Sequence, residues 1–325
     1  CGVGGGDLLN PGSGAAVQKA VSWSGANGET FGSTALTAGF LGPSLTPISN
    51  RDAVAFGGAW PATATMAPSM VSLLLSALPD APMTSSPMGQ NVSGVPTTFH
   101  TATRIGRLLT DTPSFPIDIL VTGGFQMTNS VTPQPGQPPA AASSIRVYTL
   151  ADAASAPTVR AVTPYLPAAC GSAQPHYRPA AFEAAAVTAS GQRVVITGGS
   201  ATQVSGCNDC EIAADTSLLC TLSQASLYDS GKNAFRQISA MAMGRFGHQQ
   251  TLLQDGGILV TGGLTRRTDR TGVRLTEATS EAEIYNPRPA STDAPDLDDP
   301  VTLALPADQQ SGRVGVSAQK PCTIL

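Results

Sequence analysis

The sequence predicts an all-β chain assembled from repeats of one strand-rich unit, and three observations carry that expectation. A short apolar run ending in a glycine pair recurs as DAVAFGG at 52–58, IDILVTGG at 117–124, QRVVITGG at 192–199 and GGILVTGG at 256–263. Glycine and proline number 34 and 26 among 325 residues, the punctuation that many short strands with frequent turns require. Hydrophobic residues make up 41% of the chain and charged ones only 12%, enough to bury a large core, yet no long apolar stripe of 3.6-residue period runs through it.

The stretch 241–287 shows the unit most completely. Ile258, Leu259 and Val260 form a run stopped by Gly262-Gly263, as suits a buried strand that ends in a tight backbone reversal. Residues 250–254 precede it across Asp255-Gly256, a dipeptide that supplies the positive φ of a hairpin turn. After an insertion, Ala282, Ile284 and Tyr285 make a third strand, closed by Asn286-Pro287, where proline removes a ladder donor.

Elsewhere the same order returns. The run before Gly123-Gly124 is followed by SIRVYTL at 144–150, and the run before Gly198-Gly199 by SQASLYD at 223–229. Gly57-Gly58 closes a weaker fourth copy. The pairs end at 58, 124, 199 and 263, so the intervals are 66, 75 and 64 residues, and the excess over a repeat of roughly 50 lies mostly in the insertions.

This pattern resembles the kelch repeat, particularly its bacterial form with Arg-x-x-His before the first strand, seen here as Arg245 and His248. The resemblance covers about 31–318, is strongest in the last two copies and falls away toward the N-terminus. It implies a kelch-type β-propeller over 16–325, with four recognisable blades and terminal strands that form a further blade. It also implies that Tyr148, Tyr228 and Tyr285 pack in the core, and that His100, His248 and Arg245 help to fix the junctions between blades, the alternative for these three being a site in the central channel.

Taken in order, residues 1–15 read as a flexible tether and 17–23 as an outer strand carrying Trp23. A first blade is expected to use 31–37 and 52–58 as inner strands with 69–75 as a third, although 71–75 reads equally as the start of a short helix. Residues 79–96 are a connector rich in Pro, Ser and Met. The second blade begins at Phe99-His100-Thr101-Ala102, and 126–143 is too rich in Pro and small polar residues to pack as strand. The third uses 180–189, 192–199, 223–229 and 235–239. The fourth uses 246–253, 257–263, 281–285 and 301–305. Residues 311–318 look like another first strand, so 17–23 and 311–318 are candidates to close a fifth sheet, with or without a partner's strands.

In an antiparallel four-stranded unit the connection from strand two to strand three leaves from the same face as the one from strand four onward. All the long insertions, 126–143, 200–222 and 264–280, are of the second-to-third type, so one face is built up and suited to recognition.

Cys1 followed by GVGGGD looks like a mature bacterial lipoprotein, which makes Cys1 a lipidation site and the outer membrane the expected location; otherwise Cys1 is an internal residue of a longer chain. Cys170, Cys207, Cys210, Cys220 and Cys322 are disulfide candidates in an exported chain, with connectivity left open. Zinc is the sharper reading of Cys207 and Cys210, but a structural site wants four ligands and only Cys220 is near in sequence. A net charge of −4 with three lysines gives a nucleic-acid partner little electrostatic support, despite Arg266, Arg267 and Arg270.

No catalytic constellation emerges. A galactose-oxidase-like copper site would by resemblance need two histidines, two tyrosines and a cysteine bonded to one of them, and no local motif joins a cysteine to Tyr148, Tyr228 or Tyr285. Strand alternation predicts that Glu281 and Glu283 both face solvent, and Asp296, Asp298 and Asp299 read as an acidic turn lacking the glycine and terminal glutamate of a calcium loop. The expected function is therefore a non-enzymatic, lipid-anchored envelope subunit that binds other envelope proteins, with no metal and no cofactor. The alternatives are a galactose-oxidase-like or carbohydrate-active enzyme, or a glycan-binding module, on the same fold.

Overall fold

The computed structural model describes residues 2–3, 19–24, 30–35, 44–50, 52–56, 72–76, 84–87, 97–106, 112–126, 145–162 apart from 154 and 156, 180, 182–202 apart from 189, 219–268 apart from 255, 274–286 and 301–304. All regular structure among them is β, in antiparallel sheets, with no helix. Four sheets of four strands follow one another along the chain. Sheet I orders Ser44–Pro47, Asp52–Phe56, Ser72–Ser76 and Thr84–Pro87. Sheet II orders Thr101–Ile105, Ile117–Thr122, Ile145–Leu150 and Thr158–Val162. Sheet III has Ala184–Val187, Arg193–Thr197, Ala225–Asp229 and Ala234–Gln237, and sheet IV has Gln249–Leu252, Ile258–Thr261, Ala282–Asn286 and Val301–Ala304. Closure of this series into a ring is not seen among the described residues.

Each sheet is an up-and-down meander, because its turns suit tight reversals. In sheet IV the Leu253 N–H donates to the Gly257 carbonyl at 2.7 Å, and Gly256 takes φ +87°, a conformation that costs glycine nothing. The register places Gln249 opposite Thr261 and Leu252 opposite Ile258.

The core lies between successive sheets. Ile48, Val54 and Phe56 of the first unit meet Ile117, Ile119, Val121, Tyr148 and Leu150 of the second. The other face of sheet II, with Leu120, Ile145 and Val147, meets Val194, Ile196, Tyr228 and Phe235 of sheet III. Val195, Ala225 and Leu227 then meet Ile258, Val260 and Tyr285 of sheet IV. Alternation explains the layering: in Ile117–Thr122 the odd residues face sheet I and Leu120 faces sheet III, so central strands read as continuous apolar runs. First strands of successive sheets are neighbours throughout, Ser44–Pro47 beside Thr101–Ile105, that beside Ala184–Val187, and that beside Gln249–Leu252.

Several sequence expectations are corrected. Sheet I takes Ser44–Pro47 as its first strand, while Thr30–Ala35 pairs with Lys19–Ser24 and, through it, with Gly2–Val3 in a separate three-stranded sheet. The period of 31–37 could not reveal this, since pairing partners are a long-range property. Ser72–Ser76 is the third strand of sheet I, as expected of 69–75, and the helical alternative falls because both of its edges are taken up by neighbours. Thr84–Pro87 is the fourth strand of sheet I, not connector; its proline is the terminal residue of an edge strand, where a missing donor is tolerated. The insertions of sheets III and IV carry ribbons of their own, Ser200–Thr202 with Leu219–Thr221, and Leu264–Thr268 with Arg274–Ala278.

Candidate functional site

The polar and strained residues of the structure collect where one sheet gives way to the next. Three equivalent segments precede the first strands of sheets II, III and IV: Thr97 to His100, Ala180 to Glu183, and Arg245 to His248. The third residue of each is left-handed, Phe99 at φ 54°, Phe182 at 57° and Gly247 at 64°. A bulky residue in that region is strained and needs its surroundings to hold it. Here a backbone ladder does so: the Phe182 N–H donates to the Phe99 carbonyl at 3.0 Å, and the Gly247 N–H to the Phe182 carbonyl at 2.9 Å. The Phe99 and Phe182 rings lie 4.6 Å apart and Phe182 and Phe246 6.1 Å apart, making a half-buried row of three phenylalanines. Sequence reading missed this row; the aromatic residues at 99, 182 and 246, one or two positions before His100, Glu183 and His248, were the available signal.

The two junction histidines are held as cross-links. His100 Nε2 lies 2.8 Å from the Ser44 hydroxyl of sheet I. Its Nδ1 donates to the Thr97 carbonyl at 3.1 Å, which leaves Nε2 to accept. Burial pushes its pKa down to about 4, against the opposing pull of the Thr97 and Phe56 carbonyls. His248 Nε2 lies 2.7 Å from the Thr197 hydroxyl of sheet III, which the Gln250 amide also reaches. Burial and, secondarily, the Arg245 charge bring the His248 pKa down to about 3. Both imidazoles are therefore neutral at pH 7. Further hydroxyl bonds join sheets I, II and III, Thr46 to the Ala102 carbonyl at 3.0 Å and Thr101 to the Glu183 carbonyl at 2.7 Å.

Arg245 is the largest wholly buried side chain among the described residues. Its Nη2 donates to Glu283 Oε1 at 2.7 Å, and its Nη1 donates to the Glu281 and Gly262 carbonyls at 2.8 and 3.3 Å. Glu283 Oε2 accepts from the Ala242 N–H at 2.9 Å. This corrects the expectation that Glu283 faces solvent beside Glu281: Glu283 is 2% exposed. Alternation does place it on one face of its strand, but that face is covered by the chain entering from sheet III, and charge pairing makes the burial tolerable. Glu183, also buried, accepts from the Ala180 N–H at 2.9 Å.

Gly123-Gly124 and Gly198-Gly199 lie against these segments, and Gly262-Gly263 ends the second strand of sheet IV. Tyr148, Tyr228 and Tyr285 are fully buried, and burial raises the pKa of the first two. Tyr228 donates to Asn233 Oδ1 at 2.9 Å and Tyr285 to the Ser239 carbonyl at 3.1 Å. Cys220 sits in the Leu219–Thr221 ribbon strand opposite Ala201. Cys1, Cys170, Cys207, Cys210, Cys322, Gly57 and Gly58 lie outside the described residues, as do Arg270 and the acidic turn at 296–299. No group of three or more His, Cys, Asp or Glu side chains poised for a metal occurs among the described residues. Comparison with protein-family models and with curated proteins finds no match to this sequence.

Proposed function

We propose that the chain is a non-enzymatic kelch-type β-propeller that serves as a protein-binding subunit of a larger assembly, the cell-envelope setting expected of the Cys1 run being part of the same reading. The observation that carries it is the placement of the ribbons: Ser200–Thr202 with Leu219–Thr221 and Leu264–Thr268 with Arg274–Ala278 both grow from the second-to-third connection, so they stand at equivalent ends of sheets III and IV. Rigid sheets with projecting loops at one end suit recognition. The junction side chains support the same reading, because His100 and His248 bond to hydroxyls of the preceding sheets and Arg245 pairs with Glu283 where the chain enters sheet IV. Deleting 133–142 and reversing charge with Arg266→Glu and Arg267→Glu should leave circular dichroism and melting temperature unchanged while weakening co-purification of native partners. A native extract in which the protein runs as a monomer by light scattering overturns the reading.

The phenylalanine row favours a second reading, a glycan-binding module, since partly exposed aromatic faces suit stacking against sugar rings. Oligosaccharide titration by calorimetry tests it: binding lost in Phe182→Ala supports it, and heat unchanged in that variant rejects it.

A further inference from the structure

Phe99 and Phe182 hold aromatic rings where glycine would fit without strain. Both are left-handed, at φ 54° and 57°, and the third residue of the series, at φ 64°, is Gly247. Glycine adopts that conformation freely, whereas a residue with a bulky side chain is strained in it. Strain of this kind collects at ligand clamps and recognition sites. Both rings also stay partly exposed, as does Phe246.

The row runs on into an open face of the sheet IV ribbon. Phe246 and Leu264 exchange both backbone bonds, at 3.0 and 2.8 Å, so the ribbon of Leu264–Thr268 with Arg274–Ala278 starts beside the third ring. Leu264 is 39% exposed, the one exposed large hydrophobic among the described residues, and Ala278 opposite it is exposed too. Alternation puts the register positions of Arg266, opposite Thr276, and Arg274, opposite Thr268, on that same face and diagonal to each other. Arg267 and Glu277 take positions on the other face, opposite Leu275 and Thr265. Like charges within reach of each other across a ribbon repel, and an anion beside both relieves the repulsion. A guanidinium fits a carboxylate through two parallel bonds, and a basic face on a chain of net charge −4 draws acidic ligands to this place.

The backbone decides which acidic ligand fits the row. The Phe99 carbonyl accepts from Phe182, the Phe182 carbonyl accepts from Gly247, and both backbone groups of Phe246 are bonded to Leu264. A sugar ring needs partners for its hydroxyls, and these groups are already engaged; an apolar side chain needs none.

Resting on the protein-binding reading, we infer that Phe99, Phe182, Phe246 and Leu264 with Arg266 and Arg274 form its docking surface, and that the occupant is an extended acidic segment of a partner protein. Large apolar side chains of that segment pack on the phenylalanine row, and its Asp or Glu carboxylates lie at the two arginines. The ring separations of 4.6 and 6.1 Å together match about three residues of extended chain at roughly 3.3 Å each, so the apolar part is short and the acidic part adjoins it.

Selection of randomised linear peptides by display on the full chain, followed by titration of the enriched peptides at about 0.15 M salt, tests this. The enriched peptides should pair Asp or Glu with Phe, Trp or Leu. Phe182→Gly, which removes a ring without straining the backbone, should weaken them by at least about tenfold and leave the melting temperature nearly unchanged. Arg266→Gln with Arg274→Gln should weaken them by a similar factor, whereas Arg267→Gln, on the other face, should change affinity by less than about threefold. The arginine variants keep the test available if Phe182→Gly fails to fold. Failure to enrich any peptide, enrichment without acidic residues, or affinity unchanged in Phe182→Gly or in the arginine pair overturns the inference. Oligosaccharides that bind in a Phe182-dependent manner while no peptide does overturn it in favour of a glycan. Native partners that co-purify undiminished with both variants refute this surface and leave the protein-binding reading standing, whereas a monomer in native extract refutes both.

Discussion

Arg245 and Glu283 form an ion pair of 2.7 Å in which one side chain is wholly buried and the other 2% exposed, and the two residues come from different elements, the loop before the first strand of sheet IV and its third strand. The pair fixes the approach of the chain to that sheet, because the same guanidinium holds the Glu281 and Gly262 carbonyls and the same carboxylate holds the Ala242 N–H.

Removing one partner should therefore cost far more than removing both. Arg245→Met leaves a buried carboxylate uncompensated and should destabilise by about 3–5 kcal/mol, whereas Arg245→Met with Glu283→Leu should recover much of that loss. Urea denaturation of the two singles and the double completes the cycle, and additive effects would show that the pair is not coupled.

Acid should loosen the junctions. Burial lowers the pKa of both His100 and His248 in the folded chain, to about 4 and about 3, so the unfolded chain binds more protons below its own value of about 6.5. Their neutral-state stability is present in full above pH 6.5 and is lost as pH falls from there toward 4 for His100 and 3 for His248. The two together account for several kcal/mol, because each tenfold difference in proton affinity between the folded and unfolded chain is worth about 1.4 kcal/mol. Equilibrium unfolding from pH 8 to 4 should show the slope, and His248→Gln should flatten it; an unchanged slope in that variant assigns the effect elsewhere.

Glycines should sort by what a Cβ would meet. Gly198→Ala places a methyl 2.3 Å from the Arg245 oxygen at φ +62° and should cost more than about 2 kcal/mol. Gly231→Ala, whose Cβ would lie 3.4 Å from Asp229 Oδ1 at an ordinary φ, should stay within about 0.5 kcal/mol. Thermal melts of both check the ordering.

Tyr285 separates packing from hydrogen bonding. Tyr285→Phe removes the hydroxyl that donates to the Ser239 carbonyl and should cost about 1 kcal/mol, while Tyr285→Ala empties a core site between sheets III and IV and should cost about 3–5 kcal/mol. Near-equal losses would mean that the hydroxyl, and not the ring, matters at this position.

Much of the architecture was legible because the central strands advertise themselves. Ile117–Thr122, Arg193–Thr197 and Ile258–Thr261 are apolar runs ended by glycine pairs, and each is flanked by a third strand bearing Tyr148, Tyr228 or Tyr285. Outer strands such as Thr84–Pro87 and Thr158–Val162 carry no such signature, since an edge strand is half solvated and its composition is close to that of a loop. The junction site was read in part: Arg245 and His248 stood out through their resemblance to the kelch Arg-x-x-His pattern, but Glu283 was assigned to solvent and the Phe99 to Phe246 row was not seen.

Local hydrophobic period and turn residues, which act over a few positions, were enough to dictate the antiparallel meander. Long-range packing decided that the first strand of sheet I is Ser44–Pro47, that Glu283 lies beneath Arg245, and that Phe99 and Phe182 are held left-handed. Those outcomes depend on which sheet covers which face, and on backbone bonds such as that from Phe182 to Phe99 across 83 positions. Such contacts form only when distant segments meet, and no local period encodes them.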